Sequence, residues 1–336
     1  MYYLVKHLLQ FGFFFYYKRV RLVGLENIPK KGAVLFIPNH PNALIDPLLV
    51  AYRNPRSTYF LTRSSVFKGG VLNKFFASVH MFPIYRPRDG KEKMHLNEAI
   101  FKKCEYILSK EKSLVVFAEG NHNINKKVRP LKTGFARIAL RTFQAYPELE
   151  DIKIIPMGLN YDHPTKAWSK ASVFFGPALS AKSIISGLES ELDQINALCK
   201  KTHEAMLPWS IHVEKNYNEN YQKLINSNID LTDPTAGNQA IKDQNFPSKK
   251  SSKSVLSSLI YGFAVLLNLI PFLIWKRASK GIKDDEFIST FRFGICMTLV
   301  PINLIICTLI LGWTYLGLWV LSFLMSQGSW YKTYLK

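Results

Sequence analysis

Cysteine is scarce and poorly spaced in this chain. Its four cysteines, Cys104, Cys199, Cys296 and Cys307, form no C-x-x-C pair, and two of them fall in an apolar C-terminal region. That spacing argues against a metal site and a disulfide framework, and it fits a reducing compartment. Acidic residues are also few: 24 Asp and Glu stand against 44 Lys and Arg, a formal net charge of +20. Such an excess asks for an anionic partner. Nucleic acid fits poorly, because neither zinc-finger spacing nor an RNA-binding signature is present. A membrane carrying anionic lipids fits better, since basic residues bracket the hydrophobic segments. Phosphorylated substrates or an acidic carrier protein would profit from the same field.

The shortage of carboxylates is sharpest near the start. Between Glu26 and Asp89 the only one is Asp46, in the run Asn39-His40-Pro41-Asn42-Ala43-Leu44-Ile45-Asp46-Pro47. A carboxylate near a histidine can hold one imidazole nitrogen as a donor and free the other to take a proton from a hydroxyl. His40 and Asp46 are therefore candidate catalytic residues. Two plainer readings stand beside this one. His40 can be an ordinary loop histidine, and Asp46-Pro47 has the form of a helix start, with Asp as N-cap and Pro at the first helical position. The second does not exclude catalysis, because a capping Asp can also face the histidine.

The chain has 336 residues, 48% of them hydrophobic, which is high for such a charge. The apolar residues concentrate at 255–330, whereas 226–254 is rich in Asn, Ser, Lys and Asp and reads as a linker. Residues 1–19 are rich in Leu, Phe and Tyr but interrupted by Lys6, His7 and Gln10. They read as an interfacial helix with a basic collar, neither a span nor a cleaved signal. A helix packed on the protein's own core is the alternative. Residues 20–225 form the main domain. Within it, strands are predicted at Ala33–Pro38, Ser57–Thr62, Met81–Tyr85, Ser113–Phe117, Ile152–Leu159 and Ser172–Phe175. Helices are predicted at Glu92–Lys110 and Thr133–Phe143. This alternation predicts an α/β domain with a mostly parallel sheet flanked by helices. Sites in such sheets gather at the carboxyl ends of strands, and His40, Arg86 and Glu119-Gly120 all follow predicted strands.

These blocks, in this order, resemble the phospholipid/glycerol acyltransferase family, which includes 1-acylglycerol-3-phosphate acyltransferases. The family's Asn-His motif with a following Asp is matched by Asn39, His40 and Asp46. Its Arg-ending block is matched by Phe82-Pro83-Ile84-Tyr85-Arg86, its Phe-Pro-Glu-Gly block by Phe117-Ala118-Glu119-Gly120, and its apolar strand by Ile154–Leu159. Gly24–Pro29 and Pro130–Gly134 are further similarities. The likeness runs from about residue 20 to 180. Two features depart from it. Five residues separate His40 from Asp46 where four are usual, a longer form shared by some glycerol-3-phosphate acyltransferases. Ala118 replaces the proline, and Asn121-His122 follow the glycine where other branches place Thr or Ser and then Arg.

The resemblance implies an acyltransferase fold that moves an acyl chain from acyl-CoA or acyl carrier protein, as co-substrate, to lysophosphatidate or glycerol-3-phosphate. It implies no cofactor and no metal. His40 would be the general base and Asp46 its orienting carboxylate, with Asn39, Arg86, Glu119 and Gly120 binding substrate. Arg86 offers a planar fork suited to a phosphate; the plainer reading is a solvated arginine beside Arg88 and Asp89. Gly120 could let backbone N–H groups approach a phosphate or oxyanion, or be a simple strand-to-loop glycine. Glu119 either fixes Arg86 or contacts acceptor hydroxyls. His122 is a second functional histidine or an inert one.

The C-terminal region predicts membrane helices. Val255–Trp275 is about long enough for a span but is interrupted by Asn268 and Pro271. Phe293–Leu311 and Trp313–Met325 read as a tight pair turning near Gly312. A cell (inner) membrane location with the catalytic domain on the cytoplasmic face is expected. The Lys and Arg between the first two segments fit that orientation if Val255–Trp275 dips in and returns. A three-span arrangement is the simpler alternative.

Overall fold

The computed structural model describes residues 1–67, 69–86, 90–248 and 255–331. Eight strands, β1 (Arg19–Val23), β2 (Ala33–Pro38), β3 (Thr58–Arg63), β4 (Met81–Ile84), β5 (Ser113–Val115), β6 (Ile152–Tyr161), β7 (Lys170–Phe175) and β8 (Leu179–Ser180), build one sheet. Its order is β1-β7-β6-β2-β5-β3-β4, with β8 also on β6. Every pairing is parallel except those of β6 with β7 and β8. The mostly parallel sheet expected from the alternation is present. β2 lies between β6 and β5, and all six of its residues are buried. A strand covered on both faces has no polar side to present, which is why its sequence is a continuous apolar run.

Helices α1 (Tyr2–Tyr16), α2 (Ile45–Ala51), α3 (Gly70–Ser78), α4 (Asn97–Ser109), α5 (Gly134–Ala145), α6 (Ala181–Ile185) and α7 (Glu191–Met206) flank the sheet. One core joins Ala33, Leu35 and Ile37 of β2 to Cys104 and Leu108 of α4, Phe135 and Ile138 of α5, and Leu198 of α7. The other face joins Val34 and Phe36 to Phe13 and Tyr16 of α1 and to Ile45, Leu49 and Val50 of α2. Helix α1 thus packs on the protein's own core, the alternative reading of the N-terminal segment. Phe13 and Tyr16 pack on the core, while Leu4, Leu8, Phe11 and Phe14 are exposed.

Two expectations change here. The helix expected from Glu92 begins at Asn97, after a tighter turn over Lys91–Leu96. The expected linker at 226–254 contains helix α9 (Pro234–Asp243), which follows α8 (Tyr217–Asn226). Asp233 caps α9 by accepting the Thr235 and Ala236 N–H groups, and Pro234 occupies its first turn, the arrangement that best starts a helix. Its contacts are small residues, Gly237 lying against Ile211, so its burial left little hydrophobic signature. Asn238 adds bonds to Leu207 O and Ser210 O. The part of the expected linker at 249–254 lies outside the described residues.

The apolar tail folds as α10 (Val255–Leu267), α11 (Leu269–Ser279), α12 (Ile288–Leu311) and α13 (Trp313–Tyr331). With its preceding turn, α12 forms the 27-residue helix Asp285–Leu311, the one described helix long and apolar enough to cross a membrane by itself. At 1.5 Å per residue it is ~40 Å long, against roughly 30 Å of bilayer hydrocarbon. Ser258–Leu267 and Leu269–Ser279 meet at 96°, at the expected break. A break frees backbone groups that lipid cannot satisfy. Here Leu267 O accepts from Asn303 of α12 at 3.1 Å and from the Tyr315 hydroxyl of α13, while Trp319 Nε1 donates to Asn268 Oδ1 at 3.2 Å. The α12–α13 turn falls at Gly312, whose φ of 79° suits glycine.

Candidate active site

β2, β5, β3 and β4 are parallel, so the chain leaves all four at one rim of the sheet. His40 leaves β2 there, and Phe117-Ala118-Glu119 leaves β5 beside it. Arg86 leaves β4 two strands further along. The backbone of Tyr85, immediately before Arg86, is held at both ends by the Asn97 amide, which accepts its N–H at 2.9 Å and donates to its carbonyl at 2.7 Å.

The dyad is assembled. His40 Nδ1 lies 2.7 Å from Asp46 Oδ2. Asp46 is fully buried, and the His40 side chain is 15% exposed. The helix carrying Asp46 starts two residues earlier than the sequence suggests, at Ile45 with Leu44 as its N-cap, so Asp46 is not the N-cap. Pro47 is still in the first turn, where a missing N–H costs nothing. Instead of capping, the carboxylate turns back over its own loop. Oδ2 also accepts the Asn42 N–H at 2.6 Å, and Oδ1 accepts the Tyr161 hydroxyl at 2.5 Å. Three donors around one buried carboxylate compensate its lost hydration. Burial and the neighbouring Asp46 push the Tyr161 hydroxyl well above its usual pKa, so it remains a donor. An ionised Asp46 accepting from Nδ1 leaves Nε2 as the nitrogen able to take a proton.

The ring of His40 stacks on Phe117 at 4.1 Å between centroids and meets His122 edge-on at 5.8 Å. Burial, and then the nearby His40, lower the pKa of His122, which favours its neutral form. Lys126 is half-buried and donates to Tyr161 O at 2.7 Å. Burial pushes its pKa down to about 8.

Three residues expected at the substrate have hydrogen-bond partners within the protein. Asn39 donates to Leu159 O at 3.1 Å and accepts the Leu159 N–H at 2.7 Å. It extends the β2–β6 pairing by one residue in side-chain form. Glu119 forms its ion pair with Arg129, not with the expected Arg86. Its Oε2 is 2.6 Å from Arg129 Nη2 and also accepts the His40 N–H at 3.1 Å, while Oε1 accepts the Arg129 N–H at 3.0 Å. This buried carboxylate therefore holds the backbone of His40. Gly120 has φ 83°, and its N–H donates to Phe117 O at 3.1 Å. Its own N–H thus closes a turn at the end of the strand, the geometry of the strand-to-loop reading.

Sequence reasoning overlooked Tyr161, Arg129 and Phe117 as site residues. Arg129 was approachable, since it precedes the Pro130–Gly134 block and a buried Glu119 needs a cation. Tyr161 is 115 residues from Asp46, and no local pattern marks it. Among the described residues, no three His, Cys, Asp or Glu side chains converge on a metal site.

The acyltransferase family model matches residues 19–160, which span the dyad, Tyr85, Arg86, Glu119 and all of β6 but its last residue, Tyr161. A 1-acyl-sn-glycerol-3-phosphate acyltransferase of Limnanthes douglasii is 23% identical over 188 residues, 55% of this chain and 61% of that protein. One from Cocos nucifera is 24% identical over 172 residues, covering 50% and 51%. Glycerol-3-phosphate O-acyltransferase 1 of Saccharomyces cerevisiae is 41% identical over 61 residues, 18% of this chain and 8% of that protein. The crystal structure of the 1-acyl-sn-glycerophosphate acyltransferase of Thermotoga maritima aligns with a TM-score of 0.42 at 20% identity, covering 60% of this chain and 79% of that one. This chain thus spans between half and two thirds of the length of the plant relatives. Residues 19–160, somewhat under half of the chain, are thus similar to the acyltransferase family.

Proposed function

We propose that this protein is a membrane-associated O-acyltransferase of glycerophospholipid synthesis. It transfers a fatty acyl chain from acyl-CoA or acyl carrier protein to 1-acyl-sn-glycerol-3-phosphate, giving phosphatidate, at the cytoplasmic face of the cell membrane. The observation that carries this reading is the buried Asp46 holding His40 Nδ1 at 2.7 Å. In the proposed step, His40 Nε2 accepts the acceptor's hydroxyl proton as its oxygen attacks the thioester carbonyl. Collapse of the tetrahedral adduct forms the ester and breaks the C–S bond, and the imidazolium returns the proton to the thiolate. Asp46 stabilises the imidazolium that forms between these events. General-base assistance of this type contributes about 10²–10⁴-fold.

Arg86, on the same rim as His40, is proposed to bind the acceptor's phosphate. A guanidinium grips a phosphate through two parallel N–H donors, and an ammonium cannot. Arg86→Lys therefore raises the KM of the phosphorylated acceptor and moves the donor KM much less. Steady-state kinetics with each substrate varied in turn make the comparison. Equal effects on both constants would remove Arg86 from the acceptor site. Glycerol-3-phosphate is the second acceptor to consider. It is favoured by the five-residue gap between His40 and Asp46 and by the local likeness to the yeast enzyme.

A further inference from the structure

The turn Asp285–Phe287 and the first residues of α12 lie far outside the matched acyltransferase segment. They nevertheless touch each loop that arranges the dyad. Leu44, between His40 and Asp46, donates its N–H to Thr290 Oγ1 at 3.2 Å. Ser289 donates to Pro164 O, which also accepts from the Asn42 side chain at 2.9 Å. Asn42 is the residue whose N–H binds Asp46. On the other side, Glu286 Oε1 accepts the Ile124 N–H at 3.4 Å, and Phe287 meets the ring of His122 edge-on at 4.8 Å. That loop returns to the base through Asn123, whose N–H donates to His40 O at 2.9 Å. The Arg63 guanidinium covers Phe287 at 5.5 Å. Ser289 is fully buried in this junction.

A helix that served only as an anchor would need no such contacts; a flexible tether would suffice. We infer that the head of α12, through Phe287 and Thr290, is a positioning element of the acyltransferase site. On this view the C-terminal hydrophobic region is a working part of the catalytic domain. Phe287 fixes the 121–125 loop beside His40, and Thr290 fixes Leu44 within the dyad loop. Both residues act through others and touch no reacting atom. The inference rests on the proposed acyl transfer for its kinetic readout alone.

The test uses the full chain in detergent micelles, where anchoring confers no advantage. Phe287→Ala is expected to lower kcat about 10-fold or more, within the range that slight misplacement of catalytic groups costs. Both substrate KM values should stay within about twofold of wild type, and Phe287→Tyr should restore most of the rate. Thr290→Val, nearly isosteric, is expected to lower kcat with its melting transition unchanged. Hydrogen exchange at residues 121–125 needs no substrate and should quicken in Phe287→Ala. Quickened exchange in a protein that acylates none of the acceptors would fault the acyl-transfer reading and leave the positioning role standing. Unchanged exchange together with wild-type kcat in both variants would overturn the inference. So would a defect seen in vesicles but absent in micelles, because that result describes an anchor.

Discussion

His40→Ala lowers kcat by about 10²-fold or more, with the fold and membrane association intact. The size follows from the loss of general-base assistance. The intact fold follows from the surroundings of Asp46. When the imidazole is removed, the carboxylate keeps the Asn42 N–H and the Tyr161 hydroxyl as donors. The backbone of residue 40 still bonds to Glu119 and to Asn123. Steady-state kinetics paired with a thermal melt check both halves of the expectation. Asp46→Asn should also lower the rate, because a neutral amide can orient the wrong imidazole tautomer. Turnover by His40→Ala at the wild-type rate would remove the base from the mechanism.

Arg129→Ala has the largest expected effect on stability. The Glu119 side chain is 2% exposed and that of Arg129 is 20% exposed, with a 2.6 Å contact between them. Removing only the cation leaves a buried carboxylate without its counter-charge, which typically costs about 3–5 kcal/mol. Whole domains are stable by roughly 5–15 kcal/mol, so the variant is close to unfolding. The guanidinium also bonds to the Asn121 side chain and backbone, so the loop beside His40 loosens at the same time. Denaturant unfolding measures the cost. A loss below about 1 kcal/mol, the size of an exposed surface pair, would mean that Glu119 finds another partner or is neutral in the fold. Glu119→Gln with Arg129→Met should be milder than Arg129→Ala, since no unpaired charge remains buried.

Legibility in the sequence followed the range of the interaction. His40 and Asp46 are six positions apart, so a local motif announced their contact. β2 was legible to the residue because a doubly covered parallel strand is apolar throughout. The ends of α4 were less clear, since Asn97 turns its side chain to Tyr85 where a helix-period reading sees only a polar position. α9 was hidden because its buried side is built from Gly237 and Ala240, and small residues carry little hydrophobic signal. Asn39 and Glu119 were legible as motif residues, but their partners were not. Leu159 and Arg129 are set by sheet order and loop path, which spacing along the chain does not encode. Tyr161 depended on β6 lying next to β2, a fact of topology. The α12 contacts depend on a return of the chain across 125 to 246 positions.

The proposed function requires the acceptor's hydroxyl to be acylated in the site that holds His40 and Asp46. The most direct measurement offers the purified full chain in detergent a labelled acyl-CoA together with lysophosphatidate or glycerol-3-phosphate, and separates the lipid products. Labelled phosphatidate is expected from lysophosphatidate with the wild type, and almost none with His40→Ala. Label appearing only in lysophosphatidate made from glycerol-3-phosphate would contradict the acceptor assignment, and label in neither product from a folded protein would contradict the enzymatic reading itself.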